Sequence, residues 1–261
     1  MDMMSGSLHI FTPSPQKSDS PSVRILPRHL SRPARGVLFD MCNILYDDTV
    51  WRRWLLRLLT QIGLHTSYRS FFHLWDRDCL DAVHRGQRTF DEAFESFLRS
   101  LGMSRGQIEE VEAASRSHRR TMEESLRALP GVKATIARLA DSGTVLGAIC
   151  NSELPATALR HRIERFGLGD RFKAVISSID LGVIMPDGEC YIAALRAMGL
   201  PADEVAFVGH DAAELAGASA VGMATIALNF APEAQADVHL SRIEELPAVL
   251  TPSPVVLAAA G

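Results

Sequence analysis

The spacing of apolar residues changes character along this chain. Near the start, Gly36-Val-Leu-Phe-Asp40 is an unbroken apolar run closing on a carboxylate, and Val37 to Phe39 predicts a strand buried on both faces. Asp47 or Asp48 is placed to cap the helix that follows. From Trp51 to about Leu129 the period is helical: Trp54, Leu55, Leu58, Leu59 and Ile62, then Phe71, Phe72, Trp75, Leu80 and Val83, then Phe90, Phe94, Phe97, Leu98 and Leu101. Ser104 starts a last helix carrying Ile108 and Val111, and Gly63, Gly86 and Gly102 mark turns. This predicts a bundle of about four helices inserted after the first strand.

After Leu129 strands and helices alternate. Strands are predicted at Val145–Ile149, Ala174–Ile176, Val205–Val208, Thr225–Leu228 and, shorter, Val238–Leu240. Between them lie helices marked by Ile136 and Leu139, by Leu159, Ile163 and Phe166, by Tyr191, Ala194 and Leu195, and by Leu215 to Val221. Such alternation predicts an α/β fold, a parallel sheet covered on both faces with right-handed crossovers. Ligands bind such sheets at the carboxyl ends of the strands. One rim should therefore gather Asp40, Cys150-Asn151-Ser152, the loop from Ser177 to Met185, and Gly209-His-Asp211. The resulting division is a disordered leader at 1–35, an α/β core at 36–48 and 129–250, a helical cap at 49–128 and a flexible tail at 251–261.

Composition narrows the class. With 261 residues, 47% of them apolar, the chain has material for a full core. A net charge of −4 and no basic face with interleaved aromatics argue against nucleic acid as a partner, and no apolar run spans a bilayer. The Ser-, Pro- and Arg-rich start has no signal-peptide core, and four scattered cysteines form no C-x-x-C pair, so reduced thiols in a cytoplasmic protein are expected. The oligomeric state is left open.

The segment Gly36 to Leu45 resembles the opening motif of the haloacid dehalogenase-like hydrolases, Asp-x-Asp-Gly-Thr-Leu. Leu129-Pro-Gly131, Ser177-Ser178 through Met185-Pro186-Asp187, and Val208-Gly-His-Asp211 through Gly217-Ala218 and Val221-Gly-Met223 extend the resemblance over about Gly36 to Leu250. It implies a Rossmann-like parallel-sheet core with an inserted α-helical cap, Asp40 as nucleophile, Mg2+ as cofactor and a small-molecule metabolite as substrate. Set against that pattern, four positions depart: Cys42 stands for the acid/base aspartate, Cys150 for a phosphoryl-binding Thr or Ser, Met185 for a charge-neutralising Lys, and His210 for the first acid of the last motif. Asn43 and Ile44 also replace Gly-Thr.

Each departure has a chemical consequence. A thiol is a poor proton donor beside a tuned carboxyl, and losing a proton-transfer group slows turnover about 10²–10⁴-fold. A thiol is also a weak hydrogen-bond donor, so Asn151 as a catalytic and Ser152 as a substrate-binding residue are candidates to stand in at the second motif. The only lysines are Lys17, Lys133 and Lys173, none placed to replace the one missing at Met185. For Mg2+ the ligands expected are Asp40, Asp211 and Glu214, with His210 as an alternative; the plainer reading has Asp211 capping the next helix and His210 partly exposed. Cys42, Cys150, Met185 and His210 together also describe a set for a softer metal. The expectation is a phosphatase-type hydrolase with weak or lost activity; a non-catalytic module binding a ligand or partner, and a dehalogenase-like hydrolase, are the alternatives.

Overall fold

The computed structural model describes residues 33–64, 71, 74–230 and 232–250, with 77 and 78 as backbone only. Six strands, β1 (Gly36–Asp40), β2 (Val145–Cys150), β3 (Phe172–Ser177), β4 (Val205–Gly209), β5 (Ala224–Leu228) and β6 (Val238–Leu240), form one sheet in the order β3-β2-β1-β4-β5-β6. Every pairing is parallel. The chain winds outward from β1 in one direction through β2 and β3, then in the other through β4, β5 and β6. The crevice between the ends of β1 and β4 is therefore the point where strand order reverses, the ordinary ligand position in a doubly wound sheet.

Alternation along β1 shows how both faces are covered. Val37 and Phe39 point into one apolar layer with Ile136 and Leu139 of α5 (Val132–Asp141), Leu159 and Ile163 of α6 (Ala156–Arg165), and Leu246 and Val249 of α10 (Leu246–Leu250). Leu38 points into the other, with Tyr191 and Ala194 of α8 (Gly188–Met198) and Leu215 and Ala218 of α9 (Ala212–Ala220). At Gly217, α9 comes so close to the neighbouring loop that a Cβ would stand 2.5 Å from the carbonyl oxygen of Pro186.

Between β1 and β2 lie α1 (Val50–Gln61), a π-helical turn (Asp76–Leu80) running into α2 (Asp81–His84), α3 (Phe90–Ser100) and α4 (Arg105–Ser125). Thr89 with Glu92 and Ser104 with Gln107 build reciprocal capping boxes that start α3 and α4. These helices bury a core of their own, among it Trp51, Leu55, Phe71, Trp75, Phe94, Phe97 and Ile108. The aromatics Phe71, Trp75, Phe90, Phe94 and Phe97 thus fill this core or pack against it, and Phe72 lies outside the described residues. The cap meets the sheet domain through the Ser178 hydroxyl, which donates to the His84 carbonyl at 2.9 Å, and through Arg162 and Arg119, paired with Glu123 and Glu153.

The sheet differs from the sequence reading in its edges. Ladder hydrogen bonding extends β1 to include Asp40, which pairs with Ile149, and Arg35 already bonds Glu204 and Val145 through its backbone. Neither Asp47 nor Asp48 is the N-cap of α1. Thr49 holds that place without a side-chain bond, and the Asp47 carboxylate instead accepts the Thr49 N–H at 2.9 Å and its hydroxyl at 2.6 Å. The one-turn helix α7 (Ser178–Leu181) and α10 are too short to carry a period. Residues 1–32 and 251–261, read as leader and tail, lie outside the described residues. Among the described residues no helix is long and apolar enough to cross a membrane.

One consequence of the cap packing is testable by pH. Burial, helped by the charge of Arg52, pulls His84 down to about 4, so the folded state holds it neutral. Its contribution is complete above the unfolded value near 6.5 and declines as pH falls toward the folded value. The thermal midpoint, followed by fluorescence from pH 7 to 4.5, is expected to fall less steeply in His84→Gln than in the parent. Parallel curves would show that His84 does not couple the cap to pH.

Candidate active site

Asp40 ends the central strand, 2% exposed, and both carboxylate oxygens are engaged. One accepts the Cys42 N–H at 3.1 Å, and the other meets Nδ1 of His210 at 2.9 Å. The turn between them follows from Asn43, whose φ of +57° lies in the left-handed region. Asparagine tolerates that region better than other residues with a side chain, which explains how it stands in for glycine here. Its amide nitrogen stands 3.2 Å from Nε2 of His210 and donates to it in the neutral ring, while the amide turned over would present its oxygen to a protonated Nε2.

His210 follows the last residue of β4 and projects across the crevice to Asp40. Burial pushes the Asp40 carboxyl up, only partly offset by His210; for His210 burial acts downward, but the bond and charge of Asp40 hold it above its ordinary value. The His210 Nδ1–H is placed to donate to the Asp40 carboxylate at 2.9 Å, an ion pair whenever the ring is protonated. His210 is thus the ion-pair partner of Asp40, and no lysine or arginine pairs with Asp40 among the described residues. Its pairing was not legible from the spacing, which left it half exposed at the rim.

Glu214, one turn into α9, completes the crevice. One of its oxygens takes a hydrogen bond from Asn151 at 3.3 Å, while Oε2 is buried with no hydrogen-bond partner. Burial, and next the charge of Asp40, push its carboxyl well above the ordinary range. One ligand atom from each of Asp40, His210 and Glu214 lies within 4.8 Å of the others. Of the two readings of Asp211, the structure bears out the helix cap and not the third carboxylate ligand: its Oδ1 accepts the amides of Ala213 at 2.8 Å and Glu214 at 3.0 Å at the start of α9. An orphan amide pair at a helix start is the stronger claim on a short carboxylate.

The second motif is also committed elsewhere. Asn151 clamps the loop before α8, accepting the Met185 N–H at 2.8 Å and donating to the Met185 carbonyl at 3.1 Å, so it orients backbone and Glu214. Ser152, expected to bind substrate, donates its N–H to the Ser178 hydroxyl at 2.9 Å, and its own hydroxyl oxygen accepts the Leu154 N–H at 3.0 Å, so both groups are used within the fold. The Met185 side chain, 3% exposed, belongs to the apolar layer under α8 and precedes a cis peptide to Pro186.

The Cys42 thiol meets another sulfur. Its Sγ lies 3.4 Å from Sγ of Cys150 and 3.6 Å from the Tyr46 hydroxyl. The contact with Cys150, with burial, pushes the Cys42 thiol well up, which makes it a weaker proton donor still. The softer-metal set is therefore not assembled: the two cysteines pair with each other, Met185 is in the core, and His210 alone joins the oxygen donors. Sequence reading also missed Tyr46 and Arg162. Arg162 is 9% exposed and donates to Tyr46 Oη at 2.8 Å beneath the rim. An arginine inside the apolar stripe Leu159, Ile163, Phe166 was the available signal.

A family model of haloacid dehalogenase-like hydrolases matches residues 34–222. The phosphoglycolate phosphatase of Yersinia pseudotuberculosis is 31% identical over 202 residues, 75% of this chain and 81% of that protein. Among solved structures, a 2-haloacid dehalogenase from Pseudomonas syringae pv. Tomato superposes with a TM-score of 0.55 at 23% identity, covering 83% of this chain and 98% of that one. A subfamily IA hydrolase from Geobacter sulfurreducens gives 0.60 at 17%, covering 84% and 97%.

Proposed function

The chain belongs to the haloacid dehalogenase-like hydrolase family, and from that premise we propose that it is an Asp40-centred hydrolase of small phosphorylated metabolites whose turnover runs far below that of its phosphatase relatives. The observation that carries this reading is the pairing of the Asp40 carboxylate with His210 in a crevice where no lysine or arginine joins it among the described residues.

In this reading the residues divide the work as follows. Asp40 is the attacking group. One of its oxygens is held by the Cys42 amide and the other must leave His210 before it reaches a phosphorus atom. The His210 imidazolium supplies the positive charge that keeps the carboxylate ionised at that depth, but by hydrogen-bonding it also lowers its nucleophilicity. Cys42, with its thiol pushed up, gives little help to a departing alkoxide, a loss of about 10²–10⁴ in rate. Met185, buried among apolar side chains, offers no charge to the transferred group, and removal of one such preorganised group often costs about 3–4 kcal/mol of barrier. Two paired free thiols at the rim suit a reducing, cytoplasmic setting.

Mg2+, implied by the family, is a poor match for these donors. It favours near-octahedral oxygen coordination, whereas here an imidazole nitrogen stands at the rim and Asp211 is spent on a helix cap.

Phosphate release from phosphoglycolate and related esters, measured beside an Asp40→Asn control, tests the proposal. Turnover is expected to be slower than about 10⁻² s⁻¹, against about 1–10³ s⁻¹ for ordinary enzymes, and to vanish in the control. Rates in the ordinary range that the control abolishes would refute the slow reading. Equal rates in both proteins would remove Asp40 from the chemistry. If esters stabilise the protein against heat without release, the site is a binding module; halide release from short 2-haloacids would instead mark a dehalogenase.

A further inference from the structure

The crevice holds a charge pattern that the fold alone does not explain. Two carboxylates and an imidazole converge within 4.8 Å, Asp40 buried and the other two partly so, where like charges repel. Asp40 has a partner in His210. Glu214 does not: Asn151 bonds one oxygen, and Oε2 is buried without a hydrogen-bond partner. A desolvated carboxylate oxygen left unpaired is costly, and native proteins seldom keep one without a ligand, water or ion to meet it.

The donor set is specific about what that ligand is. One nitrogen and two carboxylate oxygens suit a borderline first-row ion. Zn2+ takes His nitrogen at about 2.0–2.1 Å and carboxylate oxygen at about 2.0–2.2 Å. Ligand atoms on one such ion sit roughly 3 Å apart by that geometry, and the present separation of Asp40 Oδ2 and His210 Nδ1 is 2.9 Å. Seating an ion between these two atoms therefore asks for little movement at this edge. The outer contacts suit a ligand cluster: the Cys42 amide holds the second oxygen of Asp40, Asn151 orients Glu214, and the Asn43 amide, turned so that its oxygen faces the ring, is in place to accept from Nε2–H of His210.

We propose that Asp40, His210 and Glu214 form a binding site for a borderline divalent transition ion, with Zn2+ as its probe, in preference to Mg2+. The site concerns binding and stands apart from whether the protein hydrolyses anything.

The test uses the full-length chain, stripped of metal with chelator, exhaustively dialysed and titrated with Zn2+ or Mg2+ by calorimetry. Bound metal is counted by elemental analysis, and Co2+ as a substitute reports nitrogen and oxygen ligation through its visible spectrum. One Zn2+ per chain is expected, with Mg2+ binding at least about 100-fold weaker. Even outer partners of a ligand are worth about 10–100-fold in affinity, so His210→Ala and Glu214→Gln should each weaken Zn2+ by about 100-fold or more while the far-ultraviolet spectrum stays unchanged. His210→Asp, which rebuilds an all-oxygen set, should narrow the gap between the two ions. The double variant Cys42→Ser, Cys150→Ser should keep Zn2+ with the same Co2+ spectrum. Absence of stoichiometric Zn2+, indifference to His210→Ala, or loss of binding in the cysteine variant would each overturn the assignment, the last by placing the ion on sulfur.

Discussion

Replacing Arg162 by alanine is expected to lower folding stability by about 3 kcal/mol, a large share of the 5–15 kcal/mol typical of a domain. Arg162 ties three elements together. Its guanidinium donates to Glu123 of α4 at 3.1 and 2.5 Å and to the Tyr46 hydroxyl at 2.8 Å, and it lies 5.1 Å from the centre of the Tyr46 ring. Removing one partner of a buried pair costs about 3–5 kcal/mol. We take the lower end because Glu123 keeps Arg165 and some solvent. The effect falls on the joint between cap and sheet as well as on the turn after Asp40, since the Tyr46 hydroxyl loses the guanidinium and keeps Cys42 at 3.6 Å. Urea unfolding of Arg162→Ala, Glu123→Ala and the double variant checks this. A deficit under 1 kcal/mol, or additive single effects, would show that the contact is not a joint. Arg162→Lys keeps the charge without the planar fork and should fall between.

The second large effect is expected at Trp75. Its ring is wholly buried and contacts Trp51, Phe90, Phe94 and Phe97 with centroids 5.7, 5.6, 5.6 and 5.1 Å away. Trp75→Ala should cost about 3–5 kcal/mol, from lost transfer energy and a cavity the aromatic ring cannot easily close. The indole N–H has no hydrogen-bond partner among the described residues, so Trp75→Phe gives up no such bond there and should cost much less. All three tryptophans, Trp51, Trp54 and Trp75, lie in the cap, and so intrinsic fluorescence reports that part of the molecule. Trp75→Ala should move the fluorescence-detected transition further than the one followed by circular dichroism. Coincident shifts would mean that cap and core unfold as one unit.

Much of this architecture can be read from the chain, because burial writes itself as period. Val37–Phe39 and Val205–Val208 are apolar without interruption, and only a strand covered on both sides asks for that. The rim, too, is legible, since strand ends and ligand positions coincide in any doubly wound sheet. Partner choice within the rim is legible only in part. Asp211 as the cap of the next helix and His210 as partly exposed can both be read from the chain, and both hold; that His210 also meets Asp40, 170 positions away, is a tertiary contact that spacing does not display. Asn151 is hidden for a related reason: its partners are the amide and carbonyl of Met185, and backbone groups look alike in every sequence. The contact of Cys42 with Cys150 spans a 108-residue separation and comes from the register of β1 against β2.

The Asn151 clamp has a wider implication for how such a centre changes over time. Because the loop is gripped by its main chain, its path is set independently of whatever side chain stands at 185. A different residue at 185 would leave the main-chain path in place, but a charged one would enter the apolar layer that now holds Met185 and would cost its desolvation unless a partner met it. Position and burial are thus separable here: the clamp hands down the first, and an engineer returning a lysine has only the second to solve.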